Sequence, residues 1–145
     1  MKVMKTLSLL MVISAIIFSG CGFLTSSEDA RNLAEKFLNY RFETGGVGDG
    51  QYYSDLFWKY TPQKEWNYIT DLVETHLGDL QSYTLKNWQV KKGVNMGDLS
   101  GTFVVLIYNT EYEYGSGQEK ITLMKGFWDR DFQIIGHHFE SPYFS

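Results

Sequence analysis

Near Gly78 the spacing of apolar side chains changes, and that change limits the fold more than any other feature of the chain. Upstream, Ala30, Leu33, Ala34, Phe37 and Leu38 recur at the 3.6-residue period of one helical face. Downstream, from Tyr83 onward, apolar and polar residues alternate, which suits strands with one covered face. A chain that spends its first half on helices and its second on strands is α+β, with the helices against one sheet face.

The helical half divides at its breakers. Thr25, Ser26 and Ser27 ahead of Glu28 and Asp29 predict a helix start with acids in the first turn. The run GGVGDG, Gly45 to Gly50, ends that helix. It is a turn and not a nucleotide loop, because Gln51 stands where a third glycine is needed and a helix precedes it. Tyr53, Leu56, Phe57 and Tyr60 mark a short second helix. Thr61-Pro62 opens a third, striped by Trp66, Ile69, Val73 and Leu77 and ended by Gly78.

In the second half Tyr83 and Leu85 alternate, and Trp88 and Val90 then alternate in the opposite phase, so a β-bulge is expected near Lys86-Asn87. KKGVNMGDLSG, residues 91–101, reads as a loop, and residues 102–114 as a long strand. Gly115-Ser116-Gly117 makes a hairpin turn into a strand carrying Ile121, Leu123, Lys125, Phe127 and Trp128. Asp129-Arg130-Asp131 turns again, and Phe132, Ile134, Ile135 and Phe139 form the last strand.

This order, with its closing segment GTFVVLIYNTEYEYGSGQEKITLMKGFWDRDFQIIGHHFES, resembles the nuclear transport factor two-like superfamily, also called SnoaL-like or ketosteroid-isomerase-like. The resemblance spans roughly residues 28–141. It implies N-terminal helices on a curved antiparallel sheet of about four strands, curled into a cone that often holds a pocket at its open end. Members of that superfamily include enzymes, small-molecule binders and protein-interaction modules, so the fold does not choose a function.

The N-terminus gives an address. Lys2 and Lys5 precede an apolar run of about a dozen residues, Leu7 to Phe18, short of the roughly 20 needed to span a bilayer. That is the layout of an export signal. Phe18-Ser19-Gly20-Cys21 resembles the cleavage box of bacterial lipoproteins, though Phe18 replaces the usual leucine. The resemblance implies removal of residues 1–20, a thioether lipid on Cys21, and acyl chains that hold the protein to a membrane. Ordinary secretion, with cleavage after Cys21 or Gly22, is the alternative. On the lipoprotein reading residues 21–27 are the lipidated cysteine and a short tether, and residues 28–145 a single domain. Gly22, where an aspartate often signals inner-membrane retention, leans toward the outer membrane of a host that has one.

Charge narrows the partners. Losing Lys2 and Lys5 takes the net charge from −4 to −6, and no basic run offsets it, so nucleic acid is excluded as a partner. Cys21 is the chain's single cysteine, which leaves no internal disulfide. No zinc-ligand spacing and no serine or cysteine nucleophile motif is present, and no cofactor is expected.

Candidate site residues come from pattern alone. His137 and His138 are neighbours on a strand and face opposite ways, so one of them faces the interior; His138 is carried forward as the candidate base. Tyr108 and Tyr112 share a strand face, and Asp55 could approach from the helices; an acid beside a tyrosine in a dry pocket is the equipment of an enolising isomerase. Core tyrosines with hydroxyls at the rim, and a histidine satisfied by hydrogen bonds, explain the same residues. Glu111, Glu113 and Glu119 could gather around a hard cation, or form a solvated face beside Lys120. His76, near a helix end, suits capping. The expectation is a lipid-anchored, non-catalytic envelope domain that binds a small apolar ligand or a protein partner, with Tyr108, Tyr112 and His138 as ligand contacts. An isomerase or dehydratase using His138 or Asp55 with Tyr108 is the alternative, and a structural subunit dimerising through its sheet is a third.

Overall fold

A computed structural model describes residues 21–47 and 50–144, with only the backbone of residues 21–24. The expected signal segment, residues 1–20, and the Cys21 thiol lie outside the described residues. The architecture is α+β: three helices, then a four-stranded antiparallel meander in the order β1-β2-β3-β4. Helix α1 spans Cys21–Thr44, α2 Asp55–Tyr60 and α3 Gln63–His76; the strands are β1 Leu80–Met96, β2 Leu99–Tyr112, β3 Ser116–Lys125 and β4 Gln133–Glu140. A 3-10 turn, Pro142–Phe144, closes the described chain.

Helix α1 starts earlier than its cap residues suggested. It runs from Cys21, so residues 22–27, expected as an extended tether, are helical. No proline interrupts them, and the buried Ser26 continues the inward stripe of Ala30, Ala34, Phe37 and Leu38. Gly45, at φ +73°, ends the helix with its N–H on the Arg41 carbonyl, where a residue bearing Cβ is disfavoured. The Ser54 hydroxyl caps α2 by accepting from Phe57 N–H, and also donates to the Ile134 carbonyl, which fastens this helix to β4.

The register of β1 on β2 shifts between Leu85 and Asn87, which is the bulge expected at Lys86-Asn87. The extra residue returns Trp88 and Val90 to the phase of Tyr83 and Leu85, so all four oppose inward residues of β2. Residues 91–101 form no loop. They continue β1, bulge again between Lys91 and Val94, and reverse at Gly97-Asp98 into β2. Phe127 and Trp128, expected in a strand, lie in the β3–β4 turn.

The core lies between α1, α2, α3 and the inward sheet face. It contains Phe37, Leu38, Phe57, Trp66, Val104, Leu106, Tyr108, Ile121, Leu123 and Ile134, each at most 3% exposed. One close approach limits the sheet. Gly101 sits at φ +127°, and a Cβ there would lie 2.2 Å from the Lys125 carbonyl oxygen. Gly101→Ala should therefore lower stability by about 2 kcal/mol or more, the scale of a strained backbone residue with a steric clash. Urea unfolding of both proteins measures it; an equal midpoint would show that the strands separate freely there.

Candidate functional site

Charged groups occupy the core where the stripes lead one to expect apolar ones. Arg41 follows Phe37 by one turn on α1 and is fully buried. Glu119 precedes Ile121 and Leu123 on the inward face of β3 and is also fully buried. His137 precedes Phe139 on the inward face of β4, its side chain 0% exposed. Directly opposed residues of a sheet share a face, so the pairing of Glu119 with Tyr108 turns its carboxylate inward.

The three side chains meet. Arg41 Nη1 donates to Glu119 Oε1, and Nη2 donates to the Tyr112 hydroxyl at 3.3 Å. The Tyr112 hydroxyl donates to Glu119 Oε2. His137 Nε2 lies 2.7 Å from Glu119 Oε1, and its Nδ1 2.8 Å from the Tyr53 hydroxyl. An ionised carboxylate can only accept, so Nε2 carries the imidazole proton and Nδ1 accepts from Tyr53. Every proton of the cluster then has one place. Rings enclose it: Phe37 and Phe139 flank the guanidinium at 5.8 and 5.5 Å, and Phe139 packs on the imidazole with centroids 4.2 Å apart.

The electrostatics follow from that geometry. Burial opposes every charge here. Arg41, His137 and Tyr112 overcome it at Glu119 and hold its carboxyl down at about 2. Burial dominates at His137 and, against the pull of Glu119, moves it below its ordinary 6.5, so the imidazole is neutral. Glu119 in turn keeps the Arg41 guanidinium firmly charged. Burial pushes the Tyr53 and Tyr112 hydroxyls up, so both stay protonated donors.

The structure distributes the sequence candidates differently. His138 is the outward member of its pair, 59% exposed and 3.4 Å from Glu140; His137 is the inward one, because it keeps the phase of Phe139. Tyr112 joins the cluster. Tyr108 is buried elsewhere on the face, edge-on to Tyr83, its hydroxyl without a hydrogen-bond partner among the described residues. Burial and the neighbouring Glu35 carboxylate push that hydroxyl up. Asp55 is exposed at the start of α2 and lines a shallow surface depression of about 420 Å³ beside Tyr53. The candidate acid, tyrosine and histidine are therefore not assembled. Glu111 and Glu113 stay on the exposed face, apart from Glu119, and among the described residues no three of His, Cys, Asp and Glu gather to hold a metal ion. His76 is exposed near Phe144 at the end of α3.

The sequence carries a signal for the cluster that residue-type motifs miss: a charged residue in phase with an apolar face, in three elements at once. Comparisons with protein-family models, with curated proteins and with solved structures found no match.

What the cluster does chemically is hold α1, β3, β4 and the segment before α2 in one register. Removing one member of a buried pair costs about 3–5 kcal/mol, because the other charge is left alone. Glu119→Gln and Arg41→Met should each do so, and the double variant should lose less than the two together, by on the order of 0.5–3 kcal/mol. A double-mutant cycle in urea reads this; strict additivity would mean that the charges do not couple.

Acid should unlock the cluster in two stages. His137 has a folded pKa below 6.5, so the unfolded chain takes up its proton first and stability is lost as pH falls below about 6.5. Glu119, at about 2 against an ordinary 4.5, adds a second loss as pH falls below about 4.5. Melting temperatures from pH 8 to 3 should fall in those windows, and His137→Gln should flatten the first. An unchanged first limb in that variant would assign it to another group.

Proposed function

We propose that this chain is a lipid-anchored module of the bacterial cell envelope, tethered through Cys21, whose nuclear transport factor two-like domain binds a protein partner. One observation carries the choice of partner over small ligand. The inward face of the sheet, where that superfamily keeps its pocket, is occupied by Arg41, Glu119, His137, Tyr53, Tyr112 and their rings. An isomerase or an apolar-ligand binder needs that space open. With the interior taken, recognition moves to the surface.

The surface offers aromatics at the end of the sheet where α1 finishes. Tyr114 is 67% and Tyr143 49% exposed, beside the β2–β3 turn. They stand on close backbone: Cβ atoms at Gly78 and Gly115 would meet Tyr114 and Tyr143 at 2.9 Å. Tyrosines fixed in this way suit protein contacts, having large rings and a polar tip with little freedom to lose.

Two measurements test the reading. Intact mass of the membrane-extracted protein should show acyl lipid on a chain beginning at Cys21, and Cys21→Ala should release the domain into the soluble fraction; an unlipidated mature chain overturns the anchor. A photo-crosslinking residue at position 114 should give a discrete protein adduct in cells that Tyr143→Ser weakens severalfold. No adduct, with one small molecule per chain retained in native mass spectrometry, would restore the ligand binder.

A further inference from the structure

Trp128 is 99% exposed and its neighbour Phe127 59%, at the tip of the β3–β4 turn. The exposure is built in. The Asp129 carboxylate accepts from Gly126 N–H at 3.0 Å, and Asp129 N–H donates to the Gly126 carbonyl at 3.1 Å, so the turn is pinned shut beneath the two rings. Other rings of the surface, such as Tyr68, Trp88 and Tyr114, are half to two-thirds exposed; Trp128 alone among the described residues' large hydrophobics stands almost wholly clear of the fold.

The fold fixes which end of the domain carries that tip. Along α1, Arg41 meets Tyr112 and Glu119, whereas Ser27 and Glu28 lie beside Leu106 and Trp88. Helix α1 therefore runs toward its start as β2 runs toward its own start and β3 toward its end. From Glu28 to Cys21 the helix advances about 10 Å at roughly 1.5 Å per residue. From Leu106 to Thr102, which pairs with Lys125, β2 advances about 14 Å. The start of α1 and the Phe127–Trp128 tip thus emerge from the same end of the domain. A second contact agrees: Arg130 and Phe132, just past the tip, share a depression with Asp29 and Leu33 in the early turns of α1.

We propose that the Phe127–Trp128 tip is a second membrane contact, seated in the headgroup region of the bilayer that holds Cys21. The proposal rests on the lipid-anchor reading, which places that end of the domain against the membrane. Because α1 is helical from Cys21, no long tether separates the two. Indole rings favour the bilayer interface, where the ring is shielded and its N–H still finds an acceptor. Asp129 and Asp131 outweigh Arg130 at the tip, which suits zwitterionic headgroups and does not recruit anionic ones. With the anchor and the tip both engaged, the domain is held in one orientation, and the Tyr114–Tyr143 end points away from the membrane.

The test uses the protein extracted from membranes, its mass first recorded, then reconstituted into phosphatidylcholine vesicles containing chain-brominated phosphatidylcholine, which quenches tryptophan on contact. Wild type should be quenched. Trp128→Tyr should lose more than half of that quenching, and Trp88→Tyr, at a half-exposed ring beside the early turns of α1, less than a quarter. Trp128 touches so little of the fold that circular dichroism should not change. A lipidated protein whose quenching is the same with and without Trp128 overturns the tip contact and leaves the anchor standing. A tip buried instead against a protein would give that result. An unlipidated mass overturns both.

Discussion

The buried polar cluster is arranged around one carboxylate. Glu119 receives donors from Arg41, His137 and Tyr112, and its charge is what gives every proton in the cluster a single position. A buried ion pair is weak evidence for extra stability, since apolar residues of the same volume often do as well. Its effect is on register. Sliding α1 by one turn, about 5.4 Å, would carry the guanidinium away from Glu119 and strand two charges in the core. An apolar stripe of alanine, leucine and phenylalanine alone would tolerate that slip better. The cluster makes one docking of α1 on the sheet far better than its neighbours.

The same arrangement fills the interior around the carboxylate. The rings of Phe37, Tyr53, Trp66 and Phe139 pack around His137 and shield the charges from water. A neutral His137, accepting from Tyr53 and donating to Glu119, has both nitrogens committed and none directed at a substrate. The residues are those of a proton relay, but their burial makes them a lock. Chemistry by residue type and chemistry by access give opposite answers here, and access decides.

The sequence revealed the fold through its periods. The switch of period near Gly78 gave the α+β division, and the phase slip between Leu85 and Trp88 placed a bulge to the residue. Errors came where one cue had two meanings. Glycines at 93, 97 and 101 look like a loop, yet they serve a bulge, a two-residue reversal and a close crossing within continuous strands. Serines at 26 and 27 look like a cap, but nothing upstream forces the helix to begin there. For the histidine pair, alternation required one to face inward, and only the phase set by Phe139 shows that it is His137. Arg41 and Glu119 were hidden because each alone is an ordinary surface residue. Their meaning lies in a pairing across 78 positions, which no local window can contain.

The position of the lock along α1 also matters for how the domain is held. Arg41 lies about 30 Å up the helix from Cys21 at roughly 1.5 Å per residue. The helix is thus fastened at the end farthest from Cys21, while its early turns rest on the sheet through small and apolar contacts such as Ala30 and Ala34. A pull or tilt applied at Cys21 acts along a rigid rod whose far end is tied to β3 and β4 by charge-assisted bonds, so it reaches the sheet as a whole-domain rotation before it loosens the core. That is the mechanics of a rod clamped at one end, and it needs no moving part inside.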